Sequence, residues 1–336
     1  MLAAQIVAPG DAQVIELPEP ACGAGQVKLA VAWCGVCGTD VHILHGGFRA
    51  DYPLTPGHEF GGTVVELGAG VTSLALGDRV AIDPNITCGA CPFCRRGLVH
   101  LCERLTAVGV NQPGGFAERC VVPAAQCYRL PESVSFEQAA FCEPLACCVH
   151  GVDRAAIAPG ERVLVVGAGP IGLLMAQLAR AAGAAWVAIS DPVAAKRALG
   201  LKLAADQAFD PQTCDLAEAA RAATGIGPDV VIECVGRAET VATALSSARR
   251  GGRVVLFGVA PKDAQVPIAP YEVFLNELTV LGSYINPFTH QRALDLLAGG
   301  RVRVEPLISA HLALDEFGEA LSLAGSGQAM KVLVGQ

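Results

Sequence analysis

No part of this chain concentrates lysine or arginine. The 24 basic residues are outnumbered by 32 acidic ones, giving a net charge of −8. Neutralising a phosphate backbone needs a basic face, so nucleic acid is excluded as an expected partner. No segment approaches the roughly 18 uninterrupted apolar residues of a membrane helix, so no membrane span is expected. Residues 1–20 contain Asp11, Glu16 and Glu19 and no apolar run with a basic start, so no secretory signal is visible. There is no internal repeat of the roughly 20–50-residue kind that marks solenoids and propellers.

Apolar residues make up 52% of the 336 and charged residues 17%, enough to bury substantial cores. That length suggests two domains of about 150 residues each. The 38 glycines and 21 prolines are dispersed, which argues against a disordered or collagen-like chain. The 14 cysteines do not suggest a secreted disulfide scaffold, because such scaffolds are small. Metal binding in a reducing cytoplasm is the better expectation.

Residues 1–148 read as short strands between turns, at 27–31, 62–67, 79–82 and 118–122, an all-β pattern with long loops. Near residue 160 the rhythm changes. Strands are expected at 162–166, 186–190, 207–209, 229–233, 253–257 and 279–281. Helices fall between them at 170–182, 193–204, 216–223 and 239–248. Strands alternating with helices imply βαβ units and a parallel sheet, here of six strands in the doubly wound manner. The tail from 285 to 336 carries one clear helix at 289–297, then extended segments ending at 332–334. It is expected to return to the first domain.

Cys88, Cys91, Cys94 and Cys102 are spaced C-x2-C-x2-C-x7-C on a Gly- and Pro-punctuated loop. Four thiolates converging on zinc at about 2.3 Å leave no position for substrate, so this would be a structural site. Further on, Gly167-Ala168-Gly169-Pro170-Ile171-Gly172 follows an expected strand and opens an expected helix. Its glycines permit the tight turn, the approach of a pyrophosphate and close helix–strand packing. Asp191 ends the next strand, 19 residues after Gly172. A carboxylate there binds an adenosine ribose 2′-OH and repels a 2′-phosphate, favouring NAD over NADP; its plainer role would be to cap the following helix.

A second metal site is suggested by Cys37, His58 and a carboxylate, three ligands that would leave one position open. Glu59 follows His58 directly, and Glu143 lies in Cys142-Glu143-Pro144-Leu145. Either carboxylate can ligate; otherwise Glu59 would support a ligand and Glu143 would be a helix-start charge.

These motifs together resemble the zinc-dependent medium-chain dehydrogenases, in the branch of sorbitol (polyol) and threonine dehydrogenases. The likeness rests on Cys37-Gly-Thr39-Asp40-Val-His42, Gly57-His58-Glu59-Phe-Gly-Gly62 continuing through Gly68 and Val71, the cysteine quartet, Glu143-Pro144, Gly167 to Gly172, and Val231-Ile-Glu-Cys-Val-Gly236. It spans essentially the whole chain. It implies a GroES-like β-rich catalytic domain over 1–148, with a structural-zinc lobe at about 86–104. A Rossmann NAD-binding domain would occupy 149–284, and the tail 285–336 would rejoin the catalytic domain. Cys37, His58, Glu59 and Glu143 would serve the catalytic zinc. Glu143 stands where alcohol dehydrogenases proper carry a cysteine, and Cys142 beside it leaves the register open. Thr39 and His42 match the family's proton relay, and Asp40 would orient the zinc histidine.

The implied enzyme holds two zinc ions per chain. It passes a hydride from a secondary alcohol, as a zinc alkoxide, to NAD, and it forms a dimer or tetramer, commonly through the Rossmann sheet edge near 279–281. A polyol or sugar alcohol is the expected substrate. A hydroxy-amino-acid dehydrogenase and a catalytically silent zinc- and nucleotide-binding protein are the rivals. Phe48, Phe116 and residues 284–288 are placed near the substrate by position alone.

Overall fold

The structure is a computed structural model that describes residues 1–47 and 50–335. The chain forms two compact units. One comprises Met1–Ala146, Pro287–Gly300 and Val304–Gln336; the other comprises Cys147–Asn286 and Arg301–Arg303.

The first unit is built on a seven-stranded sheet. Its spatial order runs Ile308–Ala313, Lys331–Gly335, Gln26–Gly35, Glu59–Leu67, Arg79–Ile82 and Cys127–Arg129, while Arg119–Pro123 also pairs with Gln26–Gly35. Two strands, Leu2–Ala8 and Asp11–Glu16, form a separate hairpin. The core gathers Val27, Leu29, Phe60, Phe116, Phe317 and Val332 among others. Gly35 is the position that ties three strands into one row. It faces Leu333 on one side and Glu59 on the other.

The all-β expectation for residues 1–148 needs correction. A helix, Gly38–Leu44, follows the Gln26–Gly35 strand, and the 14-residue helix Cys142–Ala155 begins inside the expected β region. The second helix starts where the helix-start alternative for Glu143 put it, with Pro144 tolerated in its first turn. The tail also holds a second helix, Phe317–Gly325, that the local pattern missed. Its two glycines weaken the helical signal, and packing of Phe317, Ala320 and Leu321 into the core overrides them.

The second unit is a six-stranded, wholly parallel sheet. Numbered by their sequence order in this unit, its strands lie as third, second, first, fourth, fifth and sixth. This is the doubly wound dinucleotide-binding order. The first strand, Arg162–Val166, and the second, Trp186–Ser190, have the bounds read from the sequence. Covered on both faces, they appear as continuous apolar runs. Among the described residues, no helix is long and apolar enough to cross a membrane.

Candidate active site

The quartet closes as expected. The ligand atoms of Cys88, Cys91, Cys94 and Cys102 all lie within 4.8 Å of one another. The sulfurs of Cys88 and Cys94 are 4.0 Å apart. Tetrahedral zinc with bonds of about 2.3 Å places sulfurs about 3.8 Å apart, so the donor set fits the ion. Backbone N–H groups point at the sulfurs: Cys91 N–H donates to Cys88 Sγ at 3.3 Å, and Arg104 N–H to Cys102 Sγ at 3.3 Å. The N–H groups of Ala90 and Cys91 pull the Cys88 thiol down to about 5, the thiolate form that binds metal.

The second cluster joins Cys37, His58 and Glu59, again within 4.8 Å of one another. Each arrives for a local reason. Cys37 is the N-cap of the Gly38–Leu44 helix, where its N–H donates to Asp40 Oδ2 at 2.8 Å. Glu59 opens the Glu59–Leu67 strand, and His58 precedes it. The other oxygen of Asp40 faces His58 Nδ1 at 3.6 Å, and neither atom has a hydrogen-bond partner. Asp40 therefore holds one member of the cluster by its backbone and aims another by its ring, leaving His58 Nε2 for a metal.

Burial pushes the His58 pKa down, yet the charges of Asp40 and Cys37 prevail and hold it well above its usual value. Such surroundings favour a cation. Sulfur, nitrogen and oxygen donors with a carboxylate behind the imidazole fit a catalytic rather than a structural zinc.

Glu143 lies outside this three-membered group. It is buried in the first turn of the Cys142–Ala155 helix. Cys142 is fully buried, and its thiol lies 3.7 Å from the His290 carbonyl oxygen. Burial, with Glu143 and Asp83 nearby, pushes that thiol well above its usual pKa, disfavouring the thiolate a metal needs. Thr39 is half-buried, its hydroxyl 3.7 Å from Cys37 Sγ, whereas His42 is exposed on the same short helix.

Phe116 does not line an open pocket. It is 1% exposed and packs on Phe317 with ring centroids 4.8 Å apart. Tyr284 and Phe288 are exposed, and Phe48 lies outside the described residues. One residue escaped the sequence reading altogether. Lys331 is buried, and its ammonium reaches Glu59 Oε2 at 2.5 Å and the Val36 carbonyl oxygen at 3.1 Å. Burial pushes its pKa down, but Glu59 and Cys37 beside it more than offset this and hold it above the usual value. The signal available was a lysine inside an apolar strand, Lys331–Gly335, which demands a buried partner.

In the second unit, Gly169 is the N-cap of the Pro170–Ala181 helix, with Pro170 in its first turn. A side chain at Gly172 would meet the Gly167 carbonyl oxygen at 1.9 Å, so glycine is required for that packing. At Gly169 a Cβ would meet nothing within 4 Å, the open side a pyrophosphate needs. Ile171 follows in the first turn. The Asp191 carboxylate accepts from Ala168 N–H at 2.9 Å and Val193 N–H at 2.8 Å. It braces the glycine loop as well as standing at the end of its strand.

Residues 23–132 match the alcohol dehydrogenase GroES-like domain, and residues 170–299 match the zinc-binding dehydrogenase family. The D-arabinitol dehydrogenase 1 of Uromyces fabae is 36% identical over 97% of this chain and 94% of its own. The chain belongs to the zinc-binding, medium-chain alcohol dehydrogenase family. A sorbitol dehydrogenase of Halalkalibacterium halodurans is 35% identical over 97% of this dehydrogenase and 96% of its own length. Among solved structures, a chain described as a zinc-binding dehydrogenase of Sinorhizobium meliloti 1021, bound to NADP, superposes with a TM-score of 0.97. It is 44% identical and covers 100% of this dehydrogenase and 99% of itself.

Proposed function

We propose that this dehydrogenase oxidises a secondary hydroxyl of a polyol or sugar alcohol with NAD, using one catalytic and one structural zinc. The observation that carries the reading is the mixed donor set Cys37, His58 and Glu59, backed by Asp40, in a chain whose relatives bear the names of arabinitol and sorbitol dehydrogenases. Glu143 completes the catalytic set in this reading. Cys88, Cys91, Cys94 and Cys102 hold the structural ion.

Zinc, when bound, supplies a Lewis acid that lowers the pKa of a coordinated hydroxyl. NAD supplies the hydride acceptor, and the protein supplies orientation and electrostatics. The glycine loop from Gly167 to Gly172 would hold the pyrophosphate and Asp191 the ribose. Thr39 and His42, three residues apart on one helix, share a face. In this reading the Thr39 hydroxyl accepts the alcohol proton as it gives up its own, and the exposed imidazole of His42 serves the outer end of the relay, toward solvent. Asp40 fixes the His58 ring throughout.

A panel of sugar alcohols, simple alcohols and hydroxy-amino acids, followed by NADH formation, tests the reading. Turnover is expected on polyols, and His42→Ala should lower it by roughly 10²-fold, the usual scale of a lost proton-transfer group. No turnover on any polyol would discard the proposal.

The proposal places the protein in a reducing compartment such as the cytoplasm, where a metal-spaced cysteine quartet stays as thiols. The same proposal extends to assembly. The Thr279–Gly282 strand is the open edge of the parallel sheet, and Tyr271, Phe274 and Val280 nearby are exposed. An uncovered apolar edge favours pairing with a second copy. Val280→Lys with Phe274→Asp should shift the sedimentation mass toward a monomer.

A further inference from the structure

Arg197, on the Ala194–Leu203 helix, links the ends of two neighbouring strands in the parallel sheet. Nη1 of its guanidinium donates to the Asp191 backbone carbonyl oxygen at 2.7 Å, and Nη2 pairs with Asp210 Oδ2 at 3.0 Å. Asp210 directly follows the third strand, Gln207–Phe209. Phe209 lies in register with Ser190, and its carbonyl oxygen accepts from Asp191 N–H at 3.2 Å. Both charged side chains are largely shielded, at 19% and 22% exposure. A guanidinium therefore lies beside the residue that would read the adenosine ribose, with its charge taken up by a second carboxylate.

We propose that Asp210 is a further specificity-determining residue, which occupies Arg197 and so denies a coenzyme 2′-phosphate its cation. The proposal rests on reading the Gly167 to Gly172 loop and Asp191 as the coenzyme site. The physical argument is one of charge. A phosphate monoester carries about −1.5 to −2 charges and must be met by a cation when it is bound. Arginine suits it best, because the guanidinium offers two parallel N–H donors. In this chain one arm of Arg197 is spent on the Asp191 backbone and the other on Asp210. Removing the Asp191 carboxylate alone leaves a neutral pair that neither repels nor attracts the phosphate. Removing the Asp210 charge as well leaves Arg197 docked on the backbone carbonyl with Nη2 free. Discrimination against NADP thus has two separable parts, repulsion by Asp191 and sequestration of Arg197 by Asp210.

The test measures binding of NAD and of NADP to the zinc-loaded protein by calorimetry, with no alcohol present. In an Asp191→Gly background, adding Asp210→Asn should tighten NADP by about tenfold or more, the scale of a hydrogen bond gained between charged groups. NAD should change by less than about twofold on the same step, because it has no group for Arg197 to meet. Asparagine keeps the oxygen that accepts from Gln212 N–H at 3.0 Å, so the turn after the strand stays formed. A third change, Arg197→Met, should cancel the gain in NADP binding. If the Asp210→Asn protein does not fold, Asp210→Ser, which also keeps an acceptor for Gln212, carries the same expectation. NADP binding that fails to tighten, or a gain that survives Arg197→Met, would overturn the proposal and leave the pair as a tie between helix and strand. Failure of the underlying coenzyme reading looks different, since neither NAD nor NADP binding would then respond to Asp191→Gly. Failure to oxidise any polyol would count against the proposed substrate alone, since these readouts need no turnover.

Discussion

Gly35 and Glu59 face each other across antiparallel strands, and a methyl group at Gly35 would sit 2.5 Å from the Glu59 carboxylate. Gly35→Ala should therefore displace Glu59 and Lys331 together. The overpacking should cost about 1–3 kcal/mol. Elemental analysis should find zinc lost from the Cys37 and His58 cluster and kept by the four cysteines. A variant with full stability and both ions would show that the row accommodates a methyl group at Gly35.

The two metal clusters differ in donor chemistry, and that difference should appear on chelation. Four thiolates hold zinc more firmly than a mixed set with a carboxylate. Of two zinc ions per chain, the one at Cys37, His58 and Glu59 should leave first. His58→Ala should purify with the structural ion alone. Cys91→Ser should lose the structural ion and stability with it. A single ion that survives Cys91→Ser but not His58→Ala would remove the structural site from the account.

Coenzyme choice is the sharpest question in the second unit, because the solved relative from Sinorhizobium meliloti carries NADP. In this chain, Asp191 would face a 2′-phosphate with a negative charge. Arg197 is already held by the Asp191 carbonyl oxygen and by Asp210. NAD should be preferred in steady-state kinetics. Asp191→Gly should narrow the preference by about tenfold, the worth of one hydrogen bond to a charged group. It should also weaken both coenzymes, since Asp191 braces Ala168 N–H. Equal use of NADP by the wild-type protein would show that Asp191 does not read the ribose.

Glu143 and Cys142 are neighbours on one helix with different surroundings. The thiol of Cys142 is packed against the His290 carbonyl, away from solvent. Cys142→Ser should cost about 1–2 kcal/mol of stability as a polar substitution in the core and leave metal binding intact. Glu143→Ala should lower activity by about 10–100-fold, the usual loss when a group supporting a metal is removed. The reverse pattern, with Cys142→Ser stripping the metal, would move this chain toward the thiolate-ligated alcohol dehydrogenases.

The sequence by itself determined the parts whose information is local. Buried parallel strands read as unbroken apolar runs, so Arg162–Val166 and Trp186–Ser190 were legible to the residue. The cysteine quartet closes through spacings of a few residues, and the glycine loop is a contiguous strand–turn–helix device, so both could be read before any fold was known. The helix Phe317–Gly325 was not legible, and Cys142–Ala155 was legible only at its first turn, because core packing outweighs the glycine and proline that disguise them. Only the tertiary structure placed Lys331 against Glu59, two residues 272 positions apart. Nothing in either neighbourhood names the other. Their pairing is set by the order in which the tail's strands join the first sheet, and by a glycine between them that leaves two buried charges room to meet.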